Sequence, residues 1–192
     1  THEAIKLFEQ VRDSQVAVLG AEHAYTLTTL NNLAAAYRDA NRRKEALDLF
    51  EQVRAARVRT LGEDDPATLN TLHNIASMYL DADDITEAVA RLEKVRDAKI
   101  RVLGPEHLDT LPTLTNLAVA YWKSNQLDKS IPLFEKLVGL YQKMLGKTHP
   151  ETYILLANLG VNYRDAGRLD EAINHLEKAH QASRQHASLR WV

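Results

Sequence analysis

The sequence predicts an all-α fold, a solenoid of nine helices stacked as antiparallel pairs. Three observations predict it: an internal period of 42 residues, apolar residues at helical spacing inside each period, and few helix breakers. The pair Leu-Gly recurs as Leu19-Gly20, Leu61-Gly62, Leu103-Gly104 and Leu145-Gly146 at that spacing, and the same offset lays Leu7-Phe8-Glu9-Gln10-Val11-Arg12 on Leu49-Phe50-Glu51-Gln52-Val53-Arg54. Tyr37, Tyr79, Tyr121 and Tyr163 superimpose, as do Ala4, Ala46, Ala88 and Ala172, with Ser130 in the remaining place. A single helical hairpin cannot bury its apolar stripe alone, so stacked neighbours must supply the core.

Residues 1–21 read as the second helix of a truncated unit. The first complete unit, 22–63, holds one helix on Leu30, Leu33, Ala34 and Tyr37 and another on Ala46, Leu49, Phe50 and Val53, parted by the polar stretch Asp39 to Arg43. The second, 64–105, opens at Asp65-Pro66, an N-cap followed by a residue that needs no amide hydrogen. Its second helix opens at Asp84, with Glu87 completing a capping box. The third, 106–147, carries Pro112 and Pro132, one in each helix, which predicts later helix starts or kinks and a local change in groove shape, since interior proline costs ~3 kcal/mol. The fourth, 148–192, opens at His149-Pro150 and turns at Gly167, and its end, Leu189-Arg190-Trp191-Val192, departs from the pattern. The glycine of each Leu-Gly pair suits the left-handed position just past a helix end. The whole chain is thus expected to be one array with no separate globular domain.

Composition narrows the function. At 45% hydrophobic and 26% charged residues the chain belongs with folded proteins, and a formal charge of -2 offers no field to gather phosphates, so nucleic acid is not an expected partner. There is no cysteine, which excludes disulfides and thiolate metal sites. No run approaches the ~18 apolar residues that a membrane span needs. The amino terminus has neither an initiator Met nor a signal-peptide pattern, so the chain reads as cut from something longer and a cytoplasmic setting is expected.

The order Leu33-Ala34-Tyr37-Glu45-Ala46-Phe50 resembles the tetratricopeptide repeat, whose usual unit is about 34 residues. The longer unit seen here, with Leu-Gly-x-x-His-Pro before the first helix and Asn31-Asn32-Leu33-Ala34 within it, is similar to the variety found in kinesin light chains. Long bacterial arrays look similar and often sit beside signalling domains such as protein kinases, so the resemblance also admits a bacterial multidomain parent. It implies a right-handed superhelix whose first helices line a concave groove, and a non-enzymatic scaffold that binds a protein or an extended peptide there.

On that geometry the positions just before the Leu-small pair look into the groove. Asn32, Asn74, Asn116 and Asn158 share that place in all four units, although Asn is a mediocre helix former. A side-chain amide both donates and accepts, so the four are expected to form a ladder that pairs with the backbone of an extended peptide. The alternative is that the amides bond to neighbouring helices. One residue earlier stand Asn31, His73, Thr115 and Ala157, and three residues after the Asn stand Ala35, Ser77, Val119 and Val161. The absence of Lys at both places disfavours the carboxylate tails that chaperone-binding repeats grip. Six residues after the Asn come Arg38, Leu80, Trp122 and Arg164, which predicts an apolar anchor site on Leu80, Val119 and Trp122 between basic outer positions; Trp122 alternatively packs as core.

Catalysis finds no foothold. His175, His180 and His186 are spaced by five and six and share no helical face, and no His-Glu-x-x-His occurs. His23, His107 and His149 match the unit boundary and read as caps. No glycine-rich phosphate loop is present, and Asp64-Asp65 and Asp83-Asp84 lie in solvated turns. No cofactor or metal is expected. A segment that regulates its own parent chain, or that self-associates through open solenoid ends, is the competing reading, and an enzyme a distant third.

Overall fold

The computed structural model describes residues 2–189, so Arg190, Trp191 and Val192 of the atypical end lie outside the described residues. Nine α-helices and no strand occupy the described residues: α1 (His2–Leu19), α2 (Ala24–Asp39), α3 (Arg43–Leu61), α4 (Pro66–Asp81), α5 (Ile85–Leu103), α6 (Leu111–Lys123), α7 (Leu127–Leu145), α8 (Pro150–Asp165) and α9 (Leu169–Leu189). The chain is an all-α helical repeat in two compact units, Thr1–Pro105 and Glu106–Val192. In the first, α2 packs on α1 and α3, and α4 on α3 and α5; in the second, α6 packs on α7, and α8 on α7 and α9.

The repeated apolar positions form the cores. Leu33, Ala34, Tyr37, Ala46, Phe50, Ile75 and Met78 cluster with Ile5 in the first unit, beside a smaller cluster of Leu27, Leu30, Val53 and Ala56. Leu114, Ala118, Phe134, Leu137, Leu155, Leu159 and Tyr163 lie in the core of the second. Two of the recurrent tyrosines bury their rings and spend their hydroxyls on the preceding second helix: Tyr37 Oη donates to Glu9 at 2.7 Å, and Tyr163 Oη donates to Glu135, whereas Tyr79 is only partly buried. The Ser130 that replaces the recurrent alanine has a matching change on α8. It is fully buried and donates to Oδ1 of Asn162, itself fully buried, whose Nδ2 donates to Asn158 O at 2.8 Å.

Caps follow the sequence closely. Asp65 accepts from Ala67 N at 2.8 Å with Pro66 in the first turn, and His23 and His149 cap α2 and α8 through Nδ1, accepting from Tyr25 N and Glu151 N at 3.3 Å. His107 Nδ1 accepts from Asp109 N at 3.1 Å within the turn before α6. The Asp84 capping box is half formed: Asp84 accepts from Glu87 N, but the Glu87 carboxylate turns to Arg91 and Asp84 N bonds to Tyr79 O.

The glycine expectation needs correction. Gly62, Gly104 and Gly146 have φ of 94 to 97° with ψ of 160 to 167°, an extended conformation at positive φ and not the left-handed helical one. That region is essentially closed to residues with a Cβ, so glycine is demanded more strictly there than at a left-handed cap. The positive φ near 60° falls instead at the turn inside each unit, on Asn41, Asp83 and Asn125, with Gly167 at 74° in the fourth. Of the two prolines only Pro112 goes with a late start: α6 has 13 residues where α4 has 16, and Pro112 sits in its first turn, where an amide would have no helical partner. Pro132 lies inside an unbroken α7.

Candidate functional site

In the first unit, the helices α2 and α4 meet along a strip of amides and hydroxyls. Asn74 Nδ2 donates to Asn31 Oδ1 at 3.4 Å, and Thr71 Oγ1 lies 3.3 Å from the same oxygen. Asn32, one residue on, is exposed and its side chain makes no hydrogen bond among the described residues. Beneath the strip sits Arg57 of α3, buried, which donates to Ala67 O and Thr71 Oγ1 at 2.8 Å and to Thr28 Oγ1 at 3.4 Å. One period later, Lys99 of α5 is 1% exposed and donates to Asn70 Oδ1 of α4 at 2.7 Å. His73 is partly buried on α4: desolvation first, then the positive charges of Lys99 and Arg38, push its imidazole down to about 3, so it is neutral at pH 7. Arg38 pairs with Asp39 at 3.3 Å and reaches Asp81 of α4 at 3.9 Å. Leu80 is 8% exposed and belongs to the packed interior.

In the second unit, Asn116 and Asn158 are partly buried on α6 and α8, as are Val119 and Val161. Val119 packs against the core cluster. Trp122 is partly buried and its indole nitrogen donates to Asp165 Oδ2 at 2.8 Å; Arg164, exposed, donates to the other oxygen at 2.8 Å. These bonds, Trp122 first, hold the Asp165 carboxyl below the usual carboxylate range. Arg38 to Asp81 and Trp122 to Asp165 join equivalent positions of successive first helices, one by an ion pair and the other by a hydrogen bond, so Arg38 and Trp122 are each tied to the neighbouring helix of their unit.

The expected residues thus fall in both units: Asn32, Asn74, His73, Arg38 and Leu80 in the first, and Asn116, Asn158, Val119, Trp122, Val161 and Arg164 in the second. Sequence reasoning missed Asn31 as the bridging amide, the acceptors Asp81 and Asp165, and the buried cations Arg57 and Lys99. The last carried a signal: the 42-residue offset places Gln15, Arg57, Lys99, Tyr141 and Ser183 at one position, polar in every unit, four residues after an apolar or small one. Among the described residues no group of three His, Cys, Asp or Glu side chains is arranged to hold a metal ion, and no helix is long and apolar enough to cross a membrane.

Stacked helix pairs with an amide-lined face on the first helices define a helical-repeat scaffold. Family profiles of the tetratricopeptide repeat match residues 67–143, 125–185 and 26–67, and the chain belongs to that family. Its fold is generally a protein–protein interaction module, and its scaffold members are generally not enzymes. Among solved structures, the nearly identical TPR-like repeats assigned to a kinesin light chain of Podosopora anserina are 32% identical, with a TM-score of 0.71 over 96% of this chain and 87% of that one. A variant of those repeats aligns with a TM-score of 0.74 at the same 32% identity, over 98% of this chain and 88% of that one. BtubC (BKLC) from P. vanneervenii shares the fold at 18% identity and a TM-score of 0.74, over 86% of this chain and 65% of that one. No curated protein matches the chain.

Proposed function

We propose that this chain binds an extended peptide segment of a partner protein along the face of its first helices, with Asn32, Asn74, Asn116 and Asn158 pairing with the ligand backbone. The observation that carries the reading is that three of the four recurrent amides, those of Asn32, Asn74 and Asn158, have bonding capacity to spare. Asn32 is exposed with no side-chain partner, Asn158 has none for its side chain, and Asn74 spends only a long 3.4 Å bond on Asn31. If the two first helices of a unit lie roughly 10 Å apart, as packed helices do, the two Asn of that unit meet residues about three apart in a ligand advancing ~3.3 Å per residue. Val161, Val119 and Trp122, held by Asp165, supply the apolar contacts in the second unit, and Arg38 and Arg164 the polar ones.

Display of random twelve-residue peptides tests this. Wild-type protein is expected to enrich a sequence family that a folded Asn32→Ala, Asn74→Ala variant fails to enrich. Equal enrichment by both would move binding to another surface.

A further inference from the structure

Arg57 and Lys99 occupy one position, a period apart, on the second helices α3 and α5, and both are buried. Cations are expensive there, and nearby Val53 and Val95 show that these helices also bury apolar side chains toward the first helices. What the two cations share is where their donors go. Lys99 Nζ donates to Asn70 Oδ1 at 2.7 Å. An ammonium accepts no hydrogen bond, so the oxygen of Asn70 must face it and the amide nitrogen must face away. That nitrogen has no partner among the described residues, and Asn70 is only partly buried.

Arg57 does the same through one intermediary. Its guanidinium donates to Thr71 Oγ1 at 2.8 Å, and Thr71 lies 3.3 Å from Asn31 Oδ1, which also receives Asn74 Nδ2 at 3.4 Å. With its oxygen occupied from two sides, Asn31 is likewise left with its nitrogen as the group available to a ligand, without a partner among the described residues. All hydrogen-bond partners of Arg57 are neutral oxygens, so its charge reaches the strip undiminished by a bonded carboxylate; the acid whose charge acts on it is Asp65, engaged in capping α4. A carboxylate is the strongest acceptor for such donors in a positive potential.

We propose that Arg57 and Lys99 are positioning residues that turn the Asn31 and Asn70 amides nitrogen-outward, so that the first unit selects peptide segments bearing Asp or Glu side chains over their Asn or Gln counterparts. This rests on the peptide-binding reading above and names the ligand chemistry of its first half.

The test is competitive capture of two synthetic dodecapeptide pools on the immobilised full chain, identical except that one carries Asp and Glu where the other carries Asn and Gln. Wild-type protein is expected to favour the acidic pool about tenfold, the scale of one charge-assisted bond. Lys99→Met lowers the ratio several-fold, leaving the part that Arg57 and Asn31 supply, while capture of the amide pool persists, and Lys99→Arg restores the preference. Asn70→Asp, which places a carboxylate beside Lys99 and so protects the fold, reverses it, and decides the matter should Lys99→Met not fold. Lys94→Met, removing an exposed lysine of α5, leaves the ratio unchanged. An unaltered ratio in folded Lys99→Met or in Asn70→Asp overturns the proposal. Equal capture of both pools by wild type overturns it and spares the peptide-binding reading; capture of neither overturns both.

Discussion

Removing the Ser130 hydroxyl strands a buried amide oxygen. Ser130 and Asn162 are both fully enclosed between α7 and α8, and the serine donates to Asn162 Oδ1. Ser130→Ala deletes one oxygen and leaves that acceptor desolvated, at a cost of about 1–3 kcal/mol. The corresponding positions in the first unit hold Ala46 and Met78, both core residues of one cluster. Ser130→Ala with Asn162→Met therefore installs an apolar pair that this fold already packs, and should lie within ~1 kcal/mol of wild type, because exchanging both partners avoids the unsatisfied group. Melting followed by helical circular dichroism reads the difference: at roughly 2–4 °C per kcal/mol for a chain of this size, a ~2 kcal/mol loss lowers Tm by about 6 °C in the single variant, and the second substitution restores it. A single variant that melts with wild type, or a double variant weaker than the single, refutes the reasoning.

Glycines supply a contrast. A Cβ on Gly160 would lie 2.7 Å from Leu176 Cγ and 3.2 Å from the Ala172 carbonyl oxygen, so Gly160→Ala overpacks α8 against α9 and should cost about 1–3 kcal/mol by urea denaturation. Gly139, exposed in α7 with nothing near, gains about 0.5–1 kcal/mol as alanine in the same assay. Gly62→Ala forces a Cβ into an extended positive-φ backbone and is expected to lose about 1–3 kcal/mol, read by faster hydrogen exchange at the end of α3. His73 gives a pH signature. Its folded value of about 3 lies below the unfolded one near 6.5, so between these the unfolded chain binds the extra proton and stability falls as pH drops. Stability lost from pH 7 to pH 4 should be smaller in His73→Gln than in wild type by roughly 3 kcal/mol; equal losses would refute the burial of a neutral ring.

Helix pairing, capping and core were legible because they repeat: a 42-residue period shows each packing position several times, and Asp65-Pro66 or His149-Pro150 carries its cap locally. The glycine conformation was not, since the residue type announces only a positive φ, and ψ near 160° comes from how the chain leaves α3, α5 and α7. Among site residues, the recurrent Asn position was visible, but its neighbours' bonds were not. Trp122 meets Asp165, and Asn74 meets Asn31, between helices of different repeats, a relation that no local spacing encodes. Arg57 and Lys99 share a position that is polar in every unit, but burial is not encoded by residue type, because the same helices carry cations that do face solvent, such as Arg59 on α3 and Lys94 on α5.

The measurement that tests the central claim most directly is titration of isotope-labelled protein with a display-selected peptide, followed at the side-chain amide resonances of asparagine. The account predicts saturable shifts at Asn32, Asn74, Asn116 and Asn158, with backbone shifts on α2, α4, α6 and α8. Shifts confined to α3, α5, α7 and α9, with the four amides unmoved, would contradict it.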